Sequence, residues 1–329
     1  MMTFLFLLLF FGLLACGMPI FLVLGLCAGI LYSVSGQPLI GAAQLVIDKL
    51  NSTTLMALPL FVMAAAFMRS GGVAKALIDL SIAWLGGIRG SLGVVTVVAC
   101  SLFAAICGSS VATALAMGTI LLPEMIRRGY PRSFALGVVG ASGTIGIVVP
   151  PSIALILYGI VAEQSVPRLF LAGILPGLLQ AAAFLLWVLY DARRRNFPIE
   201  PSLPLAERLR VTVRAVPALV VPVVVMVGIY GGIVTVTEAA ALSAVTALLV
   251  SLVFYRGFHW TQTLHVIADG ISSAATIMLI VATALAFARA AARHGCTACA
   301  GSRTGAGPPP IHSARARVVA TAACSWGTT

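Results

Sequence analysis

Two apolar runs of about half membrane length meet at a short polar break between residues 92 and 122. Run 92–107 has 16 residues and run 111–122 has 12, with Gly108-Ser109-Ser110 between them. A helix that crosses a bilayer needs about 20 apolar residues, so neither run is expected to cross alone. Together they have the form of a re-entrant helical hairpin that enters the membrane, turns and leaves by the same face. Non-helical backbone at that depth is tolerated only inside protein or beside a water-filled cavity. In secondary transporters such interruptions hold substrate or coupling ions.

Only 9% of the 329 residues are charged and 60% are hydrophobic, whereas soluble domains carry about 25% charged residues. The chain is therefore expected to be an all-α polytopic membrane protein with the lipid bilayer as its surroundings. Its net charge of +11 sits in short loops between apolar runs. That placement suits a topological signal better than a phosphate-binding face, and no nucleic-acid partner is expected. Run 4–31 lacks a basic leader and exceeds the apolar core of about 7–15 residues found in a signal peptide. It is expected to be a retained first span, or one span bent near Pro19. Further spans are expected at 54–68, 133–161, 169–190, 216–236, 238–255 and 271–288. Between 73 and 85 apolar residues alternate with Lys75, Asp79 and Ser81, which suggests an amphipathic helix along the interface.

The basic residues test this layout. If 92–122 turns back, Arg69, Lys75 and Arg89 share a side with Arg127, Arg128 and Arg132. Two more crossings return the chain at Arg193-Arg194-Arg195, Arg208, Arg210 and Arg214, and two more at Arg256. Lys49 and Arg168 fall on the other side. The crowded side is then cytoplasmic, and residues 191–215 form a cytoplasmic connector. A single crossing at 92–122 would scatter the clusters over both faces.

The second interruption lies in 133–161, at Gly143-Thr144-Ile145-Gly146 and at Pro150-Pro151-Ser152. Proline lacks a backbone donor and clashes with the preceding turn, so two in succession open the helix. A dehydrated sodium ion needs several oxygen ligands. Broken helices supply them from freed carbonyls at the negative end of a half-helix, aided by Ser and Thr hydroxyls, while glycine lets backbone approach closely. Gly108, Ser109, Ser110, Gly143, Thr144, Pro150, Pro151 and Ser152 are therefore the candidate sodium and substrate site. Close packing of small residues between membrane helices is the structural alternative.

Other polar residues carry weaker signals. Glu124 stands beside Arg127 and Arg128, which suggests ion pairing at the membrane surface. Glu163 and Glu238 fall at expected helix ends, and Glu238 follows Thr235 and Thr237, a pattern that suits a first turn. His259 and His265 are expected in a cytoplasmic loop. Cys296 and Cys299 form a CxxC near His294 with no second ligand pair, so chance accounts for them best. No nucleotide-binding loop, metalloprotease helix or GxSxG is present, so neither an ATP-driven pump nor a common intramembrane hydrolase is expected. No cofactor is expected beyond sodium as the coupling ion.

In these motifs the sequence resembles the large membrane subunit of the tripartite ATP-independent periplasmic (TRAP) transporters. The likeness rests on Ala57-Leu58-Pro59-Leu60-Phe61, Leu85-Gly86-Gly87-Ile88-Arg89-Gly90, the run 107–114 around Gly108-Ser109-Ser110, Leu122-Pro123-Glu124-Met125 and the run 143–152. Further along, Tyr158-Gly159-Ile160, the run 171–177, and the run 229–233 leading into Thr237-Glu238-Ala239-Ala240 extend it. The resemblance implies a sodium-coupled importer of small organic acids such as C4-dicarboxylates, in the bacterial inner membrane. Its implied partners are a small membrane subunit and a periplasmic substrate-binding protein. It also implies the first half of an inverted-repeat, elevator-type transporter, with 108–110 lining a sodium site and 143–152 opposite. Where the family often has proline between the threonines before Thr-Glu-Ala-Ala, this chain has Val236.

The expected organisation is a first-half membrane region over 1–190, the connector, further membrane helices over 216–288 and an atypical tail over 289–329. The tail is rich in Ala, Arg, Gly, Cys, Thr and Pro and has no leucine, which suggests either disorder or a change of reading frame near codon 289. The family continues into a second half with its own hairpin and double-proline break. Neither occurs here, so a transport-inactive remnant is the alternative to a working permease.

Overall fold

The computed structural model describes residues 2–34, 39–51, 55–162, 164–195, 197, 203–255 and 260–300. These residues form α-helices joined by short turns, with no strand among them. The chain divides into two compact units, residues 1–51 with 276–329, and residues 52–275.

The first unit contains α1 (Met2–Ala15), α2 (Ile20–Val34), α3 (Leu39–Leu50) and the later part of α13 (Trp260–Ala300). Gly17 in the left-handed region, followed by Pro19, separates α1 from α2. The expected first span is thus two helices separated at residues 16–19. Phe10 of α1 stacks on Phe287 of α13 with ring centroids 6.5 Å apart.

α13 departs from expectation at both ends. It starts at Trp260, so His265 lies on a helix and not in a loop, while His259 and Glu163 fall outside the described residues. It also runs past residue 289 to Ala300, where a tail was expected. Ala290, Ala291 and Ala292 explain the extension, because alanine propagates a helix even where the apolar pattern stops. Cys296 and Cys299 fall in its last turns.

In the second unit α4 (Ala57–Ser70) and α5 (Val73–Leu85) meet at 64° across Gly71-Gly72. The hairpin follows as α6 (Ser91–Cys107) and α7 (Ser110–Arg127). The broken helix is α8 (Arg132–Gly143), a 3-10 turn (Thr144–Ile147), and α9 (Ile153–Val161). Then come α10 (Val166–Arg194), α11 (Leu205–Tyr230), α12 (Val236–Leu249) and a π turn (Val250–Phe254). α4 packs against α12, and α5 lies between α6 and α11 with Val73, Leu77 and Ile78 buried. The core of this unit joins Phe67, Met68, Phe103, Met117, Ala218 and Ala247. Leu171, Leu175, Leu178 and Leu186 of α10 are exposed, as a lipid-facing surface requires.

Among the described residues five helices are long and apolar enough to cross a membrane, or six if α4 and α5 form one bent span. α7 is one of the five, with 18 residues. The expected 12-residue arm was too short because the helix continues through Pro123 and ends at Arg127. α11 likewise begins at Leu205, so the expected connector 191–215 is helical over its second half.

One end of this unit gathers the basic segments. Gly90 packs against Ala192 and Phe197, and Tyr130 lies 4.7 Å from Phe197 between ring centroids. Trp84 Nε1 donates to Thr212 Oγ1 at 3.0 Å, and Tyr255 donates its hydroxyl to the Arg214 carbonyl at 2.9 Å. The chain around residues 84–90, 130, 192–197, 212–214 and 255 therefore converges, as the charge pattern requires.

Candidate functional site

The hairpin is a true reversal. Thr96 near the start of α6 lies 3.7 Å from the sulfur of Met125 near the end of α7. The two arms therefore run antiparallel, and both of their open ends reach the basic end of the unit. There Glu124 hydrogen-bonds to Arg127 and, at 2.8 Å, to Arg128, the surface pairing expected for it. At 1.5 Å per residue each arm is about 26 Å long, close to the thickness of the hydrocarbon core.

Gly108 forms the tip. Its φ of +61° ends α6 with a left-handed cap whose N–H donates to Ala104 O at 3.0 Å. Ser109 then opens α7 as its N-cap, with Ala112 N–H donating to its hydroxyl at 3.5 Å. The Ser109 carbonyl accepts both the N–H of Thr113 at 3.1 Å and its hydroxyl at 2.8 Å. Ser110, in the first turn of α7, is half-buried.

The tip docks on the second break. Ile153 N–H, at the start of α9, donates to Gly108 O at 3.1 Å. A Cβ on Gly108 would stand 2.3 Å from Pro151 O, and one on Gly146 would stand 2.8 Å from Ser109 O. A Cβ on Gly143 would meet Ala114 at 2.7 Å. Only hydrogen fits at these three positions, which is why glycine recurs on both sides of the junction. Ser152, fully buried, donates its hydroxyl to Ile147 O at 2.7 Å and so closes the gap left by Pro150 and Pro151.

Thr144 is placed differently from the rest of the expected set. Gly143 and Gly146 are three residues apart and share the face turned to α7. Thr144 sits about 100° around the helix from Gly143. Its hydroxyl donates to Ala141 O at 2.7 Å and accepts from Gln180 of α10 at 2.8 Å. Pro150 is buried near Gly173 of α10. Gly146, part of the expected interruption, and Thr113, which was not among the candidate site residues, complete the contact between the breaks, and Gln180 was likewise not foreseen. Ser142, also not foreseen, is a buried hydroxyl beside Gly143 without a hydrogen-bond partner. The spacing Ser109-x-x-x-Thr113, one helical turn, was the available signal for Thr113.

Four helix ends meet here. The carboxyl ends of α6 and of the α8 run carry partial negative charge, and the amino ends of α7 and α9 carry partial positive charge. The carbonyls of Ala105, Ile106 and Cys107 have no intrahelical donor. The oxygens named at the junction are uncharged carbonyls and hydroxyls, a set suited to a monovalent cation rather than the carboxylate-rich shell of a calcium site. The nearby N–H groups suit a carboxylate. Along α10 the junction faces residues 173–180, about 18–28 Å from Ala192 at the basic end and about 10–21 Å from Val166 at the other. It therefore lies part-way along α10, against Gly173, Gly177 and Gln180.

A family model described as the tripartite ATP-independent periplasmic transporter, DctM component, matches residues 7–298. The matched region extends past residue 289. A C4-dicarboxylate TRAP transporter large permease protein of Pseudomonas aeruginosa is 41% identical over 235 residues, covering 71% of this chain and 55% of the relative. Its counterpart in Vibrio cholerae is 40% identical over 248 residues, 74% of this chain and 54% of the relative. A protein of the same description in Rhodobacter capsulatus is 36% identical over 296 residues, 85% of this chain and 67% of the relative. The chain thus spans about half the length of the first two. All three are named as transporter permeases and not as enzymes.

Proposed function

Since the chain belongs to the DctM component family of the tripartite ATP-independent periplasmic transporters, we propose that it contributes to sodium-coupled import of small organic acids. C4-dicarboxylates are the proposed substrate class, because the three similar permeases described above are named for them. A periplasmic binding protein would deliver the acid and a small membrane subunit would complete the permease. The observation that carries this proposal is the hydrogen bond from Ile153 N–H to Gly108 O, which joins the two helix breaks.

At that junction sodium would replace water with carbonyl oxygens around Gly108, Ser109 and Pro151 and with the hydroxyls of Ser109, Ser110 and Thr113. A substrate carboxylate would meet the free N–H groups at the starts of α7 and α9. Cation and anion on adjacent helix ends would stabilise each other, which is the physical basis of coupled binding. Ser152 and Thr144, whose hydroxyls are engaged with Ile147, Ala141 and Gln180, would hold the break in shape. Transport itself would move the junction between the two faces of the membrane.

The test is the melting temperature of the detergent-purified chain in sodium against potassium at equal ionic strength. Sodium at ten times its Kd should add about 1.4 kcal/mol of stability. Ser109→Ala with Ser110→Ala should abolish that increment, while loss of the Ser109 cap lowers the sodium and potassium values together by about 0.5–2 kcal/mol. Sodium-dependent C4-dicarboxylate uptake by the assembled complex should fall in the same double variant. An unaltered sodium response in the double variant would place the ion elsewhere.

A further inference from the structure

The basic end of the second unit contains a cavity of about 410 Å³ between α5, α11 and the residue that follows the π turn. That volume is within the range of small-molecule pockets. α5 lines it with Lys75 and Asp79, one turn apart; α11 lines it with Arg214, and Tyr255 closes it. Ile82 and Val211 give it apolar walls. The Tyr255 hydroxyl holds the Arg214 carbonyl, and the Trp84 indole, half-exposed on α5, holds Thr212 of α11. Tyrosine and tryptophan at such positions mark the level of lipid headgroups. Among the described residues no ion pair within 4.0 Å joins Lys75, Asp79 or Arg214, although Lys75 attracts the Asp79 carboxylate from one turn away.

Two cations and one carboxylate around a half-open, partly apolar cavity define a particular complement. A phosphate suits Lys75 and Arg214, but a purely anionic group would be repelled by Asp79. A group carrying phosphate and ammonium together satisfies all three. The apolar walls and the position among the basic loops favour a membrane lipid over a soluble anion. We propose that this cavity binds the headgroup of an aminophospholipid, with the phosphate between Lys75 and Arg214 and the ammonium on Asp79. The acyl chains leave along Ile82 and Val211. The lipid then bridges α5 to α11 where the basic loops converge, a role independent of the ion junction.

Native mass spectrometry of the detergent-purified full chain tests this, with titration of phosphatidylethanolamine, phosphatidylglycerol or inorganic phosphate in separate arms. Phosphatidylethanolamine should form adducts at the lowest concentration. Lys75→Gln with Arg214→Gln should weaken it about tenfold, a loss of about 1.4 kcal/mol, and Lys75→Arg should retain it. Asp79→Asn should remove the preference over phosphatidylglycerol. Variants are compared only where melting temperature and monodispersity match the parent. Stronger phosphatidylglycerol binding, displacement of the lipid by inorganic phosphate, or unchanged adducts in the well-folded double variant would each overturn the assignment. So would the absence of any lipid adduct with the parent chain.

Discussion

Gly108 carries two demands that no other residue meets at once. Its backbone is left-handed, which costs other residues about 1–2 kcal/mol, and its missing Cβ admits Pro151 O. Gly108→Ala should therefore lower the melting temperature sharply, because the tip must retreat from the break. Gly137→Ala is the matched control: that helical glycine has open space around it, and alanine there should gain up to about 1 kcal/mol. Equal melting temperatures for the two variants would contradict the docking. At this scale the sequence made part of the site visible. Gly108, Ser109 and the double proline were legible, because a polar Gly-Ser-Ser interrupts an apolar run and two successive prolines open a helix. Thr113 and Gln180 were hidden, because what they face depends on the register between helices. Thr144 meets Gln180 of α10, since one position along a helix turns a side chain to another neighbour.

Elements were legible in kind and less so in extent. A helical hairpin and a broken helix were expected from apolar run length; antiparallel α6 and α7 and the interrupted α8–α9 form, and α7, with 18 residues, is long enough to cross a membrane by itself. Several helices are longer than their apolar runs because they continue through flanking polar residues whose backbone is satisfied either way. α7 gains Pro123–Arg127, α11 gains the Leu205–Arg214 stretch, and α13 gains its alanine-rich end. The start of α12 was readable from local chemistry alone. Thr235 and Glu238 form a capping box there, with Thr235 N–H donating to Glu238 Oε2 at 2.8 Å and Glu238 N–H to Thr235 Oγ1 at 3.3 Å. Thr235→Ala should cost about 0.5–2 kcal/mol. Faster hydrogen exchange confined to the first turn of α12 would show it, and unchanged protection there would argue that the cap contributes nothing.

Over the second unit as a whole, charge and packing describe the same object. The positive-inside rule groups the basic loops on one side only if the hairpin reverses, and contacts from Trp84 to Thr212, Gly90 to Ala192 and Tyr130 to Phe197 bring those loops together. The sodium proposal depends on this reversal, since it is what carries the tip of Gly108 inward to meet the double-proline break. Cysteine labelling tests it most directly. In a background whose native cysteines are replaced, Ile88→Cys and Arg127→Cys lie on exposed positions flanking the two arms. A membrane-impermeant thiol reagent should reach both from the cytoplasmic face and neither from the opposite face. Labelling of the two from opposite faces would mean that the chain crosses between them, and the hairpin would be ruled out.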